Sequence, residues 1–355
     1  MAVRRIRLVG FRALANQQLV LAPSLNLIVG ENASGKTSLL EALDVMSRGR
    51  SFRSVQLTDI ATWQGDGRWA IDLDQGEDQD IQRLKGRFQK GSFECRLHGD
   101  VVNREHMAKI FPSLILGPDL HRLMDDGPKV RRSLLDWALF HVEQSFVQHW
   151  RRYQQALRQR NAAIRRHEPL RQIHAWNEAL LAEGDSITEY REQLVAALKP
   201  RFIEQVAGMS LLPDVELIYR RGWSKELSFG AALTKADDRA QSLLPTPVGP
   251  HRADLDLLAT DGRAQATLSR GQQKVFLICL AVALATVVHE RMGRWPLLAI
   301  DDWQAELSEQ SSSAVMALLQ QYRGQRVISG FAPPTVPLGP DARVFHVEQG
   351  QFAEC

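Results

Sequence analysis

The sequence predicts an α/β P-loop fold with a small antiparallel β subdomain and an inserted helical arm. Three observations carry that prediction. The apolar run Leu25–Val29 leads into residues 30–37, which fit G-x-x-x-x-G-K-[ST], and Leu39, Leu40, Leu43 and Met46 then recur at helical spacing. A second apolar run, Leu297–Ile300, ends in Asp301-Asp302. Between the two, from Gly127-Pro128 to about Gly208, the chain reads as helix.

The first motif sits where phosphate chemistry needs it, between a strand and a helix. Gly30, Glu31, Asn32, Ala33, Ser34, Gly35, Lys36, Thr37 and Ser38 would wrap a nucleotide's phosphates. The glycines let backbone N–H groups point inward, and the following helix dipole adds to the field. Lys36 would reach the β- and γ-phosphates, and the Thr37 hydroxyl would ligate Mg²⁺. An apolar strand ending in paired acids is the Walker B pattern. Asp301 would hold Mg²⁺ through water, and Asp302 would polarise the attacking water, so Lys36 and Asp302 are the expected catalytic pair.

At 355 residues the chain can bury a large core as one domain with an insertion, or as two domains. Its net charge of +3 announces no nucleic-acid partner, so the distribution of charge has to be followed instead. Three dispersed cysteines, Cys95, Cys279 and Cys355, argue against a disulfide framework and for the cytoplasm. The N-terminus lacks the apolar run of a signal peptide. Residues 275–288, the longest apolar candidate, read as too short for a membrane span, so no membrane partner is expected.

In chain order, residues 3–9 and 17–22 read as strands at a sheet edge leading to the P-loop. The basic segment Arg48-Gly-Arg-Ser-Phe-Arg53 is either a solvated loop or a contact to phosphate of a nucleotide or of DNA. Residues 69–73, 81–88 and 92–97 read as an antiparallel subsheet, with an acidic turn at 74–78. Helical spacing recurs through Phe146, Trp150, Tyr153 and Leu157, and again through Ile187, Tyr190, Leu194 and Leu198, with Pro169 as a break; this is a helical hairpin. Residues 128–175 carry ten Lys/Arg against three acids. The run is either a solvated helix face or a surface for phosphate backbone; the scarcity of acids and the preference for Arg favour the latter. Arg131, Arg132, Arg151, Arg152, Arg158, Arg165 and Arg166 are the candidate contacts.

Residues 215–219 read as a strand, residues 245–247 as the return to the main domain, residues 254–258 as a strand, and Asp261-Gly262 as a turn. The expected division is a head from residues 1–125 and 247–355 with an arm at 126–246. Leu268-Ser269-Arg-Gly271-Gln272 opens a long apolar helix, with Ser269 as N-cap and Gly271 permitting close approach. Ser308 opens another helix, and residues 326–328 and 343–347 supply late strands.

This order of motifs resembles the ABC-type ATPases of DNA maintenance and, more closely, the bacterial RecF recombination mediators. The matching pieces run end to end: residues 30–38, Gly49-Arg-Ser-Phe-Arg53, Gly127-Pro-Lys-Val-Arg-Arg132 with Leu135-Asp136, Gln159-Arg-Asn161, Gly249-Pro-His-Arg252, Leu268-Ser-Arg-Gly-Gln272, and Asp301-Asp302 with Glu306-Leu307. The resemblance implies an ABC-type head with the arm emerging from it, and ATP-driven homodimerisation. Ser269, Gly271 and Gln272 of one copy would close on the γ-phosphate held by Lys36 of the other. It also implies binding to gapped, single-stranded or junction DNA, recombinase loading with RecO and RecR, support of SOS induction, and slow hydrolysis that times release.

The sequence departs from the family pattern at Ser308, where an Asp is usual, at Ala253 of Gly-Pro-His-Arg-Ala-Asp254, and at Ser329, which stands at the switch position in place of His. No Q-loop glutamine follows the subsheet; Leu114 and Ile115 lie there. Weak hydrolysis is therefore expected. A small-molecule kinase would have no use for Leu-Ser-x-Gly-Gln. A transporter subunit fits poorly with so long and basic an arm. The alternative kept open is an SMC-like ATPase gated by ATP and acting on a protein partner, although the arm is short for a sustained coiled coil.

Overall fold

In the computed structural model, which describes residues 2–63, 65–77, 80–239, 245–260 and 262–355, the P-loop strand lies inside a six-stranded sheet. The order is Gln351–Glu354, Arg343–Glu348, Leu25–Val29, Arg326–Gly330, Leu297–Ile300, Ser113–Leu116. Every neighbouring pair is parallel except the hairpin made by the first two. Leu25–Val29 and Leu297–Ile300 are buried at every residue, as strands of a parallel sheet covered on both faces are. They read as apolar runs for that reason, broken only by Asn26, whose buried side-chain amide is satisfied by the Ala22 backbone.

A second, antiparallel sheet has the order Gln17–Val20, Val3–Val9, Trp69–Gln75, Gln82–Gln89, Ser92–Leu97, Asp100–Val102. Its strands alternate between buried and outward residues, so it is covered on one face. The helix Lys36–Arg48 has eleven buried residues out of thirteen. Leu39, Leu40, Leu43 and Met46 share one core with Ile6, Leu8, Ile71 and Leu73 of the antiparallel sheet and with Ile28, Ala299 and Val327 of the parallel one. Packing on all sides fixes the helix, and with it the position of Lys36 and Thr37.

The helix Arg270–Met292 is 23 residues long, enough to cross a bilayer by length and composition, so the length argument made from residues 275–288 does not hold. Its burial identifies it instead: residues 273–285 are all buried, as expected of a core helix.

The chain divides into two units, Met1–Leu120 with Arg270–Cys355, and His121–Ser269. The second holds the helices Pro128–Val142, Phe146–Arg165, Asn177–Ala207 and Phe229–Arg239. It also holds a sheet of order Gly262–Arg263, Asp254–Ala259, Val215–Arg220. The expected return to the head at residue 247 is thus corrected. Asp254–Ala259 pairs along its whole length with Val215–Arg220, which ties residues up to 269 to the arm. Pro169 does break the helical run, capping the short helix Leu170–His174, whereas Pro200 lies inside Asn177–Ala207. The Asp261-Gly262 turn and the end of the 74–78 turn involve Asp261 and Asp78, which lie outside the described residues.

Candidate nucleotide site

The P-loop closes between its strand and its helix through two backbone constraints. A side chain at Gly30 would place Cβ 2.4 Å from the Val347 carbonyl oxygen, and Gly35 adopts φ +120°, with a Cβ there 2.6 Å from Leu14. Glu31, Asn32 and Ala33 form the exposed crest, while Ser34, Lys36 and Ser38 are buried. The Lys36 ammonium donates to the carbonyls of Gly30 (2.7 Å) and Glu31 (2.8 Å), at 5.1 Å from the centroid of the half-exposed Phe331 ring. The loop's own carbonyls thus hold the Lys36 ammonium against the crest.

Asp301 and Asp302 follow the buried strand directly, and their surroundings differ. The Thr37 hydroxyl donates to Asp301 Oδ2 at 2.7 Å, and the Ser329 hydroxyl donates to Asp301 Oδ1 at 2.5 Å. Ser329 Oγ also accepts from the Asp302 backbone N–H at 2.9 Å. Asp302 takes a left-handed conformation (φ 44°), and its buried Oδ1 has no hydrogen-bond partner. Burial, and then the neighbouring Asp301 charge, push the Asp302 carboxyl above the usual carboxylate range. The expected metal pair, Thr37 and Asp301, is thus assembled, and the expected base, Asp302, has a free oxygen and a raised proton affinity. A hydroxyl and a carboxylate in contact beside phosphate-binding backbone suit Mg²⁺, which takes one or two carboxylates plus substrate oxygens.

Two residues without an assigned role complete this turn. Lys274, five residues after Ser269, donates to the carbonyls of Asp302 (2.6 Å) and Ala305 (3.0 Å). Its position as the last polar residue before the apolar run Val275-Phe-Leu was the one available signal. Trp303 is fully buried and donates its backbone N–H to the Ser329 carbonyl at 2.9 Å. Ser308 caps the helix Glu309–Gln321, accepting from Ser311 N–H at 3.2 Å, so this departure keeps its capping role.

Of the signature residues, Ser269 is exposed, and Gly271 and Gln272 are half-buried. A Cβ at Gly271 would lie 2.5 Å from the Glu306 carbonyl oxygen. The close approach expected at Gly271 is made to the chain's own backbone. Leu114 and Ile115 are inside the strand Ser113–Leu116, the parallel neighbour of Leu297–Ile300. In the basic loop, Ser51 donates to Glu41 at 2.5 Å, Glu41 also pairs with Arg12, and Arg48 pairs with Asp44, while Arg50 and Arg53 are exposed.

Residues 2–350 match the RecF/RecN/SMC N-terminal domain family. The DNA replication and repair protein RecF of Pseudomonas syringae pv. syringae (strain B728a) is 34% identical over 364 residues, spanning 100% of this chain and 98% of that protein. The chain belongs to the RecF family. RecF of Azotobacter vinelandii is 35% identical over 362 residues, spanning 100% of this chain and 99% of that protein. A solved RecF–ATP structure, described as a recombination mediator in the RecFOR pathway, superposes with a TM-score of 0.83 at 23% identity, over 100% of this chain and 97% of that one. An Smc head bound to the C-terminal winged helix of ScpA reaches 0.61 at 14% identity, over 100% and 98%. The fold is that of the RecF and SMC heads.

Several RecF-type motifs of the arm turn out to be joints within the second unit. Arg131 is buried and pairs with Asp254 at 2.8 and 3.0 Å, and Arg132 donates to the Ala253 carbonyl at 2.5 Å. Arg160 is fully buried on Asp237 (2.6 Å), Thr246 and Asn177. Arg191 pairs with Asp136 (2.9 Å) and donates to the Pro250 carbonyl. His251 sits between the Tyr153 hydroxyl (2.6 Å) and the Thr246 carbonyl (2.9 Å), and burial pushes its imidazole down to about 4. The expectation that Arg131 touches DNA is corrected: its guanidinium is committed to a buried carboxylate. Arg132, committed in part to the Ala253 carbonyl, is a poor candidate too. Arg151, Arg158 and Arg165 are exposed at seven-residue spacing on Phe146–Arg165, which puts them on one stripe. Arg152 and Arg166 are also exposed, with loose carboxylate contacts at 3.5 and 3.7 Å.

Proposed function

We propose that this RecF-family protein is an ATP-dependent DNA-binding switch of DNA replication and recombinational repair in the cytoplasm. ATP binds across residues 30–38, with Mg²⁺ held by Thr37 and Asp301. Binding drives homodimerisation, in which Ser269, Gly271 and Gln272 of one copy close on the γ-phosphate held by Lys36 of the other. The dimer clamps gapped, single-stranded or junction DNA, acts with RecO- and RecR-type partners to load recombinase, and so supports SOS induction. Slow hydrolysis, with Asp302 as base, releases it. The exposed arm arginines, Arg151, Arg152, Arg158, Arg165 and Arg166, contribute phosphate contacts.

One observation carries this reading: Thr37 and Asp301, 264 residues apart in sequence, meet at 2.7 Å beside a buried Lys36. The test is light scattering on size-exclusion chromatography with ATP and Mg²⁺, joined to anisotropy of a labelled gapped duplex. Wild type dimerises and binds with ATP and not with ADP. Lys36→Ala stays monomeric, and Asp302→Asn accumulates a long-lived ATP-bound dimer. An Asp302→Asn protein that remains monomeric in ATP would overturn the composite site.

A further inference from the structure

The outward face of the antiparallel sheet carries a pattern that neither the nucleotide site nor the arm uses. Cross-strand register places Arg5 opposite Asp74 and Asp74 opposite Arg83. The next row runs Gln18, Arg7, Asp72, Lys85, Arg96, Val101 across all six strands. A third row places Ala70 opposite Arg87 and Arg87 opposite Glu94. Residues directly opposite in an antiparallel sheet share a face. This one face therefore collects six cations and three carboxylates.

The three carboxylates are engaged: Asp74 by Arg5, Asp72 by Arg87 at 2.6 Å, and Glu94 by Arg96 at 2.7 Å. Arg7, Arg83 and Lys85 are exposed and have no carboxylate partner among the described residues. Lys85 and Arg96 stand directly opposite each other. Like charges in that position weaken a sheet, so this one pair opposes the stability of the fold that displays it, while the other charged positions of the rows alternate cation and carboxylate. A solvated face needs charge for solubility but has no need of opposed cations. The excess on this face also equals the net charge of the whole chain, +3.

We propose that this sheet face is a binding surface for a nucleic-acid phosphate backbone. The inference rests on the DNA-binding reading above and adds a surface within the head to it. Five of the six cations are arginine, whose planar fork suits phosphate. Six strands at about 4.8 Å spacing make the middle row roughly 24 Å long, wide enough to meet several phosphates of one strand. An acidic protein partner fits less well. Among the opposed residues of these rows there is no aromatic anchor, and the exposed large aliphatics, Val20 and Val101, lie at the two opposite edge strands rather than at a centre.

The test replaces the three unpaired cations together, Arg7→Gln, Arg83→Gln and Lys85→Gln, in the full chain. Anisotropy of a labelled gapped duplex is read in ATP and Mg²⁺ across a salt series. Removing three phosphate contacts lowers the slope of log K against log salt by about 2 to 3 and weakens binding by at least roughly tenfold near 0.1 M salt. Melting temperature stays at or slightly above the wild-type level, because no ion pair is broken and the Lys85–Arg96 opposition is relieved, and ATP binding is unchanged. A companion carrying Arg7→Lys and Arg83→Lys keeps the wild-type slope. A triple variant with wild-type slope and affinity overturns this surface while leaving the switch intact. If the triple variant loses binding to a polyglutamate peptide but not to the duplex, the face belongs to an acidic protein and the proposal is wrong. If wild type binds no DNA in any nucleotide state, the functional reading fails and this surface fails with it.

Discussion

Asp302 and Ser329 show how few atoms set the chemistry of this site. The Ser329 hydroxyl donates to the Asp301 carboxylate and accepts from the Asp302 backbone N–H, so one side chain orients the first carboxylate and pins the backbone that carries the second. Ser329→Ala is expected to slow ATP hydrolysis several-fold while ATP affinity changes little, and steady-state kinetics with a fluorescent nucleotide titration separate the two. The raised proton affinity of Asp302 also has a definite sign in stability. Folding favours its neutral form, so the ionised carboxylate opposes the fold above its folded pKa, and the penalty disappears as pH falls through that value toward the unfolded one. Asp302→Asn should therefore melt higher than wild type at pH 7 to 8 and match it near pH 3.5, as thermal melts across pH would show.

The arm's elements are fastened by buried ion pairs rather than by apolar packing alone. Removing Arg131 as Arg131→Met strands Asp254 in the interior, at a cost of about 3 to 5 kcal/mol. Calorimetry should show the arm transition lowered while ATP binding by the head persists. The same pairs explain which parts of the protein were legible from sequence. The P-loop and Walker B residues were legible because phosphate chemistry demands particular residue types at fixed spacing. Leu25–Val29 and Leu297–Ile300 were legible because strands of a parallel sheet covered on both faces are mostly apolar. The arm's charge was misread at Arg131, because a count along residues 128–175 does not see Asp254, which arrives more than a hundred residues later. Likewise the partner of Arg160, Asp237, lies in a helix, Phe229–Arg239, whose mixed composition hid it. The four-residue strand Ser113–Leu116 was too short to show a period.

At the scale of the whole molecule, two buried titrating groups, Asp44 in the head and His251 in the arm, respond to acid with opposite signs. In the head, burial pushes Asp44 up to about 6 against the pull of Arg48, so this group subtracts stability above pH 6 and nothing below about pH 4. Two pK units correspond to about 3 kcal/mol. Asp44→Asn should remove that slope between pH 4 and 6 in denaturant melts. In the arm, His251 is held neutral down to about 4, so the unfolded chain binds its proton first and stability falls as pH drops from 6.5.

The P-loop strand Leu25–Val29 is hydrogen-bonded on one side to Arg326–Gly330 and on the other to Arg343–Glu348, and the Gly350 N–H reaches the Ser34 carbonyl at 2.9 Å. During translation the phosphate cradle therefore stays open on both flanks until some three hundred residues of later sequence have left the ribosome. A polypeptide released before residue 326 lacks both strands that flank the cradle. Completion of the cradle thus waits until the chain has been made through residue 350.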